Sequence, residues 1–244
     1  MKKSSLLIWV LSVAFLSFFV SCSKDDDTEP EPQQQAPTFS TKTVAVPDAM
    51  MQSSDQGAQE TVGFINLANS FTGLANSFIP PQKCAPYKST NNGPPWVYTW
   101  EVIDGEDQYT VTMTISQTSS GYEWDMVIDG IIDGIVVNNF LFMHGEQSNE
   151  GKNGLFRLYD FETGEICMYV TWSTDDNGVY YVTFEIPEDV KIDITSNPDG
   201  SGVVEVYEWE NGDYQLEWRS EWTSDGHGEW WEYDNGVLID HGTW

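Results

Sequence analysis

Six of the eleven tryptophans, Trp209, Trp218, Trp222, Trp230, Trp231 and Trp244, fall within the last thirty-six residues and stand among carboxylates. An indole offers a broad apolar face that can lie flat against a sugar ring, while neighbouring Asp and Glu accept hydrogen bonds from its hydroxyls. Trp218, Trp222, Trp230 and Trp231 are therefore the candidate ligand-binding residues. Trp230 and Trp231 are adjacent, so in a strand they point to opposite faces and at least one is expected to be accessible. The competing reading places these rings in the core, as cross-strand pairs.

A second candidate is the stretch "NPDGSGVVEVYE". Asn197, Asp199, Ser201, Gly202 and Glu208 occupy positions 1, 3, 5, 6 and 12 of a pattern that resembles the EF-hand calcium loop, where side-chain oxygens and a distal bidentate glutamate surround the ion. That resemblance makes Asn197, Asp199, Ser201 and Glu208 candidate calcium ligands. Position 1 departs from the usual aspartate, and both flanks, "VKIDITS" and "VVEVYEWE", read as strands, so an ordinary hairpin loop is the alternative. No other cofactor is implied. His144, His227 and His241 are each followed by glycine, which suggests turn positions, and no two have metal-ligand spacing. The patterns H-E-x-x-H, G-x-S-x-G and the P-loop are missing, and with 39 acidic residues some close carboxylate pairs are inevitable. No catalytic residue is assigned, and the chain is read as a non-enzyme.

The N-terminus carries an address. Lys2 and Lys3 precede an apolar run from Leu6 to Val20 that is broken only by Ser12 and Ser17, the layout of a secretory signal. At fifteen residues it is shorter than the roughly 20 needed to span a bilayer. Phe19, Val20 and Ser21 before Cys22 resemble the lipobox of bacterial lipoproteins, with Phe19 in place of the usual leucine. The following Ser23, Lys24, Asp25, Asp26 and Asp27 resemble the signal that sends lipoproteins of Bacteroidota-type cells to the outer face of the outer membrane. The resemblance implies cleavage before Cys22, acylation of its thiol and new amine, and attachment to the outer membrane, facing the exterior. Several acyl chains on one cysteine hold a soluble body durably where a single chain anchors only marginally. Residues 22–43, rich in Asp, Glu, Pro, Gln, Ser and Thr, read as a lipidated cysteine and a disordered acidic tether.

Removing Lys2 and Lys3 with the leader leaves eight basic against 39 acidic side chains. Such a surface repels nucleic acid, whose binding depends on Lys and Arg clusters, and it repels acidic polysaccharide as well. A neutral glycan or an envelope protein is the better partner. With Cys22 acylated, Cys84 in "PQKCAP" and Cys167 in "EICMYV" are the remaining thiols. In an oxidising compartment they are a candidate disulfide, the alternative being a buried Cys167 and an inert loop thiol.

Two kinds of element must position these groups. "LANSF" at 67–71 recurs at 74–78, and Phe64, Leu67, Ala68, Phe71, Leu74, Ala75 and Phe78 form one helical stripe. This predicts a helix over about 48–79, entered near Asp48 and ended by Pro80 and Pro81. Its uncharged polar face, with Asn66, Asn69, Ser70 and Thr72, leaves open either packing on a sheet or recognition of a ligand or partner. From Trp96 onward the period is two, as in Tyr109, Val111, Met113 and Ile115, and in Tyr214, Leu216 and Trp218. Acidic glycine turns, "DGED", "ETGE", "DDNG", "ENGD" and "YDNG", separate the runs and leave little room for crossover helices. A repeated hairpin unit shows at Gly105, Gly164 and Gly212, spaced unevenly by 59 and 48 residues. The expectation is a mainly β (α+β) domain over 44–244: an antiparallel up-and-down meander of roughly ten strands, curved or barrel-like, with one N-terminal helix packed on it.

The function expected from these readings is that of a surface-exposed outer-membrane lipoprotein binding a glycan or another envelope component. A structural or assembly partner of envelope proteins and a cell-surface carbohydrate hydrolase are the other classes in play.

Overall fold

The structure is a computed structural model, and it describes residues 20, 21, 36–77 and 93–244. Cys22, Cys84 and the bulk of the leader and tether lie outside the described residues. Two helices, α1 (Asp48–Met51) and α2 (Gln56–Ser77), precede a meander of twelve strands. These are β2 (Trp96–Asp104), β3 (Asp107–Gln117), β4 (Gly121–Ile132), β5 (Ile135–Ser148), β6 (Asn153–Tyr159), β7 (Ile166–Thr174), β8 (Tyr180–Ile186), β9 (Val190–Ser196), β10 (Gly202–Glu210), β11 (Asp213–Trp222), β12 (Gly228–Asp234) and β13 (Val237–Thr243). A two-residue β1 (Val20–Ser21) pairs with Val102 and Glu101 of β2. Each strand is hydrogen-bonded to its neighbours in sequence, giving one open antiparallel sheet rather than a closed barrel. No helix among the described residues is long and apolar enough to cross a membrane.

Hairpin turns set this topology. Asp133 with Gly134, Asn211 with Gly212 and Asn235 with Gly236 all have positive φ at consecutive positions, the backbone of a type I′ turn, whose twist matches the strands it joins. The turns at that end fall at Gly105, Gly134, Gly164, Glu188, Gly212 and Gly236, spaced 29, 30, 24, 24 and 24 residues apart. The uneven 59 and 48 read from sequence are thus pairs of consecutive hairpins, and the repeating unit is half as long.

Backbone contacts divide the chain into two compact units. Of the described residues, the first comprises 20, 21, 36–38, 76, 77, 93–146 and 159–165. Its core rows run across strands, Trp96 to Ile115 to Trp124 and Tyr98 to Met113 to Met126, all buried. Phe161 stacks on Phe142 with ring centroids 5.2 Å apart.

The second unit comprises Phe39–Ala75, Gln147–Leu158 and Ile166–Trp244. Helix α2 packs on one face of its strands: Phe71 stacks on Phe184 at 4.0 Å, Phe64 lies against Trp218, and Thr61 Oγ1 donates to Ser220 Oγ across 2.9 Å in the buried contact. Helicity is interrupted at 52–55, because Ser53 and Asp55 turn their side chains onto the backbone. The Asp55 carboxylate accepts the amides of Gly57 and Ala58, so Asp55, not Asp48, caps the long helix. The helical polar face also has an occupant. Asn69 exchanges two hydrogen bonds with the backbone of Val44, and Thr72 is buried. Folded structure begins earlier than composition suggested, since Phe39 is buried between Phe156 and Trp172, and the Ser40 amide donates to Gln147 Oε1. Thr41 and Lys42 continue the attachment, through the Thr72 carbonyl and the Tyr180 hydroxyl.

Candidate functional site

Cross-strand register in the second unit sorts side chains into rows. One row, Trp172, Val182, Ile194, Val204, Ser220 and Trp230, lies on the face that α2 covers. The neighbouring row, Thr171, Thr183, Asp193, Glu205, Arg219, Trp231 and His241, lies on the opposite face, which is open to solvent. The four candidate tryptophans are divided by this register. Trp218 and Trp222 are 5% and 3% exposed, and Trp230 stacks on Trp218 with centroids 5.2 Å apart, so these three belong to the covered face. Only Trp231 presents its ring on the open face. The alternation Trp218, Arg219, Ser220, Glu221, Trp222 already holds this information, with indoles at one parity and charge at the other.

The open face is a network of hydroxyls, carboxylates and aromatic rings. Arg219 donates to both Glu205 and Glu221 and sits 5.9 Å from the centre of the Trp231 ring. Those carboxylates raise its already high pKa against the opposing effect of burial. Lys191 Nζ lies 3.0 Å from Asp193 and 4.1 Å over the Tyr207 ring. Thr183 donates to Asp193 at 2.6 Å, and Tyr169 donates to Glu185 at 2.5 Å. Burial, with the nearby glutamates, pushes the phenols of Tyr169 and Tyr207 up to about 12, so both remain proton donors throughout the physiological range. Lys191 and Arg219 are each held by carboxylates of this face, and Arg157 on β6 adds a positive charge near Tyr169.

A bulge shapes one end of it. Val206 pairs with Trp218 but Tyr207 pairs with Leu216, so Glu217 is the extra residue. The strict alternation read through Tyr214, Leu216 and Trp218 therefore fails at Glu217. Tyr214 and Leu216 face outward with Tyr207, and Lys191 lies 5.7 Å from the Tyr214 ring as well. Burial and then the charges of Glu208 and Glu210 raise the pKa of Glu217.

At the other end, near the β9–β10 and β11–β12 turns, the sheet borders a groove of about 600 Å³. Asn197, Ser201, Glu221, His227, Glu229 and Trp244 are among its lining residues. The two loops beside it share one design. Asn197 and Thr223 donate to the carbonyls of Ser201 and His227, while Trp222 and Trp244 Nε1 donate to the carbonyls of Gly200 and Gly226 at 2.9 and 2.7 Å.

The EF-hand-like stretch forms the first of these loops. Asp199 accepts from the Ser201 amide and hydroxyl, which lower its pKa, and Asn197 Nδ2 donates to Ser201 Oγ. Glu208 pairs with Val190 at the far end of β10, whereas Gly202 beside the loop pairs with Ser196. A straight strand holds Glu208 away, and the four candidate ligands do not converge. Among the described residues no three His, Cys, Asp or Glu side chains are gathered to hold a metal ion. Cys167 is half-buried near the start of β7, and its proposed partner Cys84 lies outside the described residues. His144 and His241 sit within strands rather than turns. His144 is held between Asp125 and Glu146 at 2.7 and 3.1 Å, and these bonds raise its pKa despite burial, which acts to lower it.

No protein-family model matches the chain, and the search of curated proteins finds no similar sequence.

Proposed function

We propose that the mature chain is a bacterial outer-membrane lipoprotein, anchored through Cys22 and facing the exterior, that binds a glycan lacking acidic groups on the open face of its second unit and does not turn it over. The observation that carries this reading is the open row through Glu205, Arg219 and Trp231. A ring with an accessible face stands beside carboxylates and phenols already fixed by mutual hydrogen bonds, so little side-chain freedom is lost when sugar hydroxyls take their places among them. The acid excess turns away polyanions, and the lipobox-like segment supplies the anchor.

Calorimetric titration of hits from a glycan array tests the face. Trp231→Ala is expected to weaken binding roughly tenfold, about 1.4 kcal/mol, while leaving the unfolding midpoint nearly unchanged. Trp218→Ala, in contrast, is expected to cost about 3–5 kcal/mol of stability through the cavity it opens. Full affinity in the Trp231 variant removes the face from consideration, and steady release of reducing ends from the ligand makes the protein a hydrolase. Mass spectrometry of the native N-terminal peptide tests the anchor, with a bare Cys22 thiol as the result against it.

A further inference from the structure

Register places a second uncovered ring on the face that carries Trp231. Tyr181 on β8 pairs with Ser173 and Thr195 and stands two residues along the strand from Thr183, so it points to the open side, and it is 42% exposed. Among the described residues no hydrogen bond, ion pair or ring contact engages its side chain. Tyr207 differs, because Lys191 already covers its ring. Four strand spacings of about 4.8 Å separate β8 from β12, and the offset of two residues along the strand adds a little, so the two rings stand roughly 20 Å apart. Between them lie Thr195 on β9, Glu205 on β10 and Arg219 on β11, which supply one hydrogen-bonding side chain per strand. Glu205 and Arg219 are already bonded to each other, so both are held in place for a ligand.

Rings this far apart cannot stack on the same mono- or disaccharide. A chain that reaches both must be straight and advance by about one strand spacing, roughly 5 Å, per sugar. Pyranoses joined equatorially through positions 1 and 4 do so, whereas α-1,4 linkage coils the chain away from a sheet. Strand twist adds a second condition. Adjacent strands are rotated by about 20–25°, so the face turns by roughly 90° between β8 and β12. A flat crystalline array of chains cannot follow that turn, but a single dissolved chain can. We infer that the open face takes one extended β-1,4-linked chain of about five neutral sugars, stacked at its two ends on Tyr181 and Trp231. This rests on the glycan reading and adds to it a length, a linkage and a second contact residue.

The test is calorimetry on the full chain with β-1,4-linked oligomers of glucose, xylose and mannose, from dimer to hexamer, and with maltohexaose as the coiled counterpart. In at least one series affinity is expected to rise roughly tenfold between trimer and hexamer, the contribution of a second stacking ring. Tyr181→Ala should remove that rise and leave the trimer nearly unaffected, since the larger indole holds short chains. Tyr181→Phe, which keeps the ring, should preserve it, and Trp231→Ala should weaken trimer and hexamer alike. Microcrystalline cellulose should not deplete the protein from solution. Equal affinity for trimer and hexamer, a rise that survives Tyr181→Ala, equal binding of maltohexaose, or depletion by the crystalline solid each overturns the extended-chain inference. So does binding of no oligomer in the three series. The glycan reading outlasts all of these if Trp231→Ala still weakens an arrayed glycan, and an inert Trp231→Ala on every one of them sinks both.

Discussion

Arg219 shows how a single side chain can organise an acidic surface. It is one of only ten basic residues against 39 acidic ones, and its guanidinium spans two carboxylates on adjacent strands while flanking Trp231. Arg219 is itself a third exposed and its partners 28% and 48%, so solvent screening limits the energy involved. Arg219→Met is expected to lower stability by about 1 kcal/mol and to free the Trp231 ring to move, seen as a change in its fluorescence. His144 offers a pH-dependent counterpart. Its two carboxylate bonds favour the imidazolium, raising its folded-state pKa above the ordinary 6.5. The contribution to stability is therefore complete below the unfolded pKa and fades as pH rises through the higher folded value. Urea midpoints for His144→Gln should fall well short of the unaltered protein at pH 5.5 and converge with it by pH 9. A constant gap across that range would mean that the ring matters through packing rather than charge.

At the scale of elements, glycines separate strand contacts from helix propensity. A Cβ on Gly202 would meet the Trp222 ring at 2.4 Å and the Thr195 carbonyl at 2.5 Å, and the carbonyl belongs to a paired strand that cannot retreat. Gly202→Ala is expected to cost more than about 2 kcal/mol, as overpacking does. Gly63, on the exposed side of α2, has nothing within 4 Å of the same atom. Gly63→Ala is expected to stabilise by about 0.5–1 kcal/mol, and chemical denaturation of the two variants should move the midpoint in opposite directions. The elements themselves were legible because alternation over β3 and glycine turns such as Asn211-Gly212 are local signals. Three features were not. The bulge at Glu217 inverts the parity of β11 without any compositional mark, so alternation alone places Tyr214 on the face of Trp218. The docking of Phe39 depends on a pocket formed by Phe156 and Trp172, more than a hundred residues away. The candidate site shared this difficulty only in part: alternation already groups Trp218 with Trp222 and sets Trp230 against Trp231, and register across β11 and β12 is what tells which of the last two joins the covered face.

For the molecule as a whole, the dominant physical fact is a net charge of −29. Self-repulsion of this size opposes compaction, and the few ion pairs, such as Lys191 with Asp193 and Arg219 with Glu205, relieve it only locally. Salt acts on these two effects in opposite directions. Raising ionic strength from 0.01 to 0.15 M shortens the Debye length from about 30 to about 8 Å. Repulsions among exposed carboxylates many ångströms apart are then largely removed, whereas contacts near 3 Å are much less affected. The balance favours the folded state. If the relief amounts to about 1 kcal/mol, the melting temperature of the full chain should rise by roughly 2–4 °C over that interval. Sodium chloride and tetramethylammonium chloride at equal ionic strength should give the same rise, because screening does not depend on which cation supplies it. A melting temperature that falls with salt would mean that the close pairs outweigh the long-range field. A rise confined to one cation would point to specific occupancy of a carboxylate cluster instead.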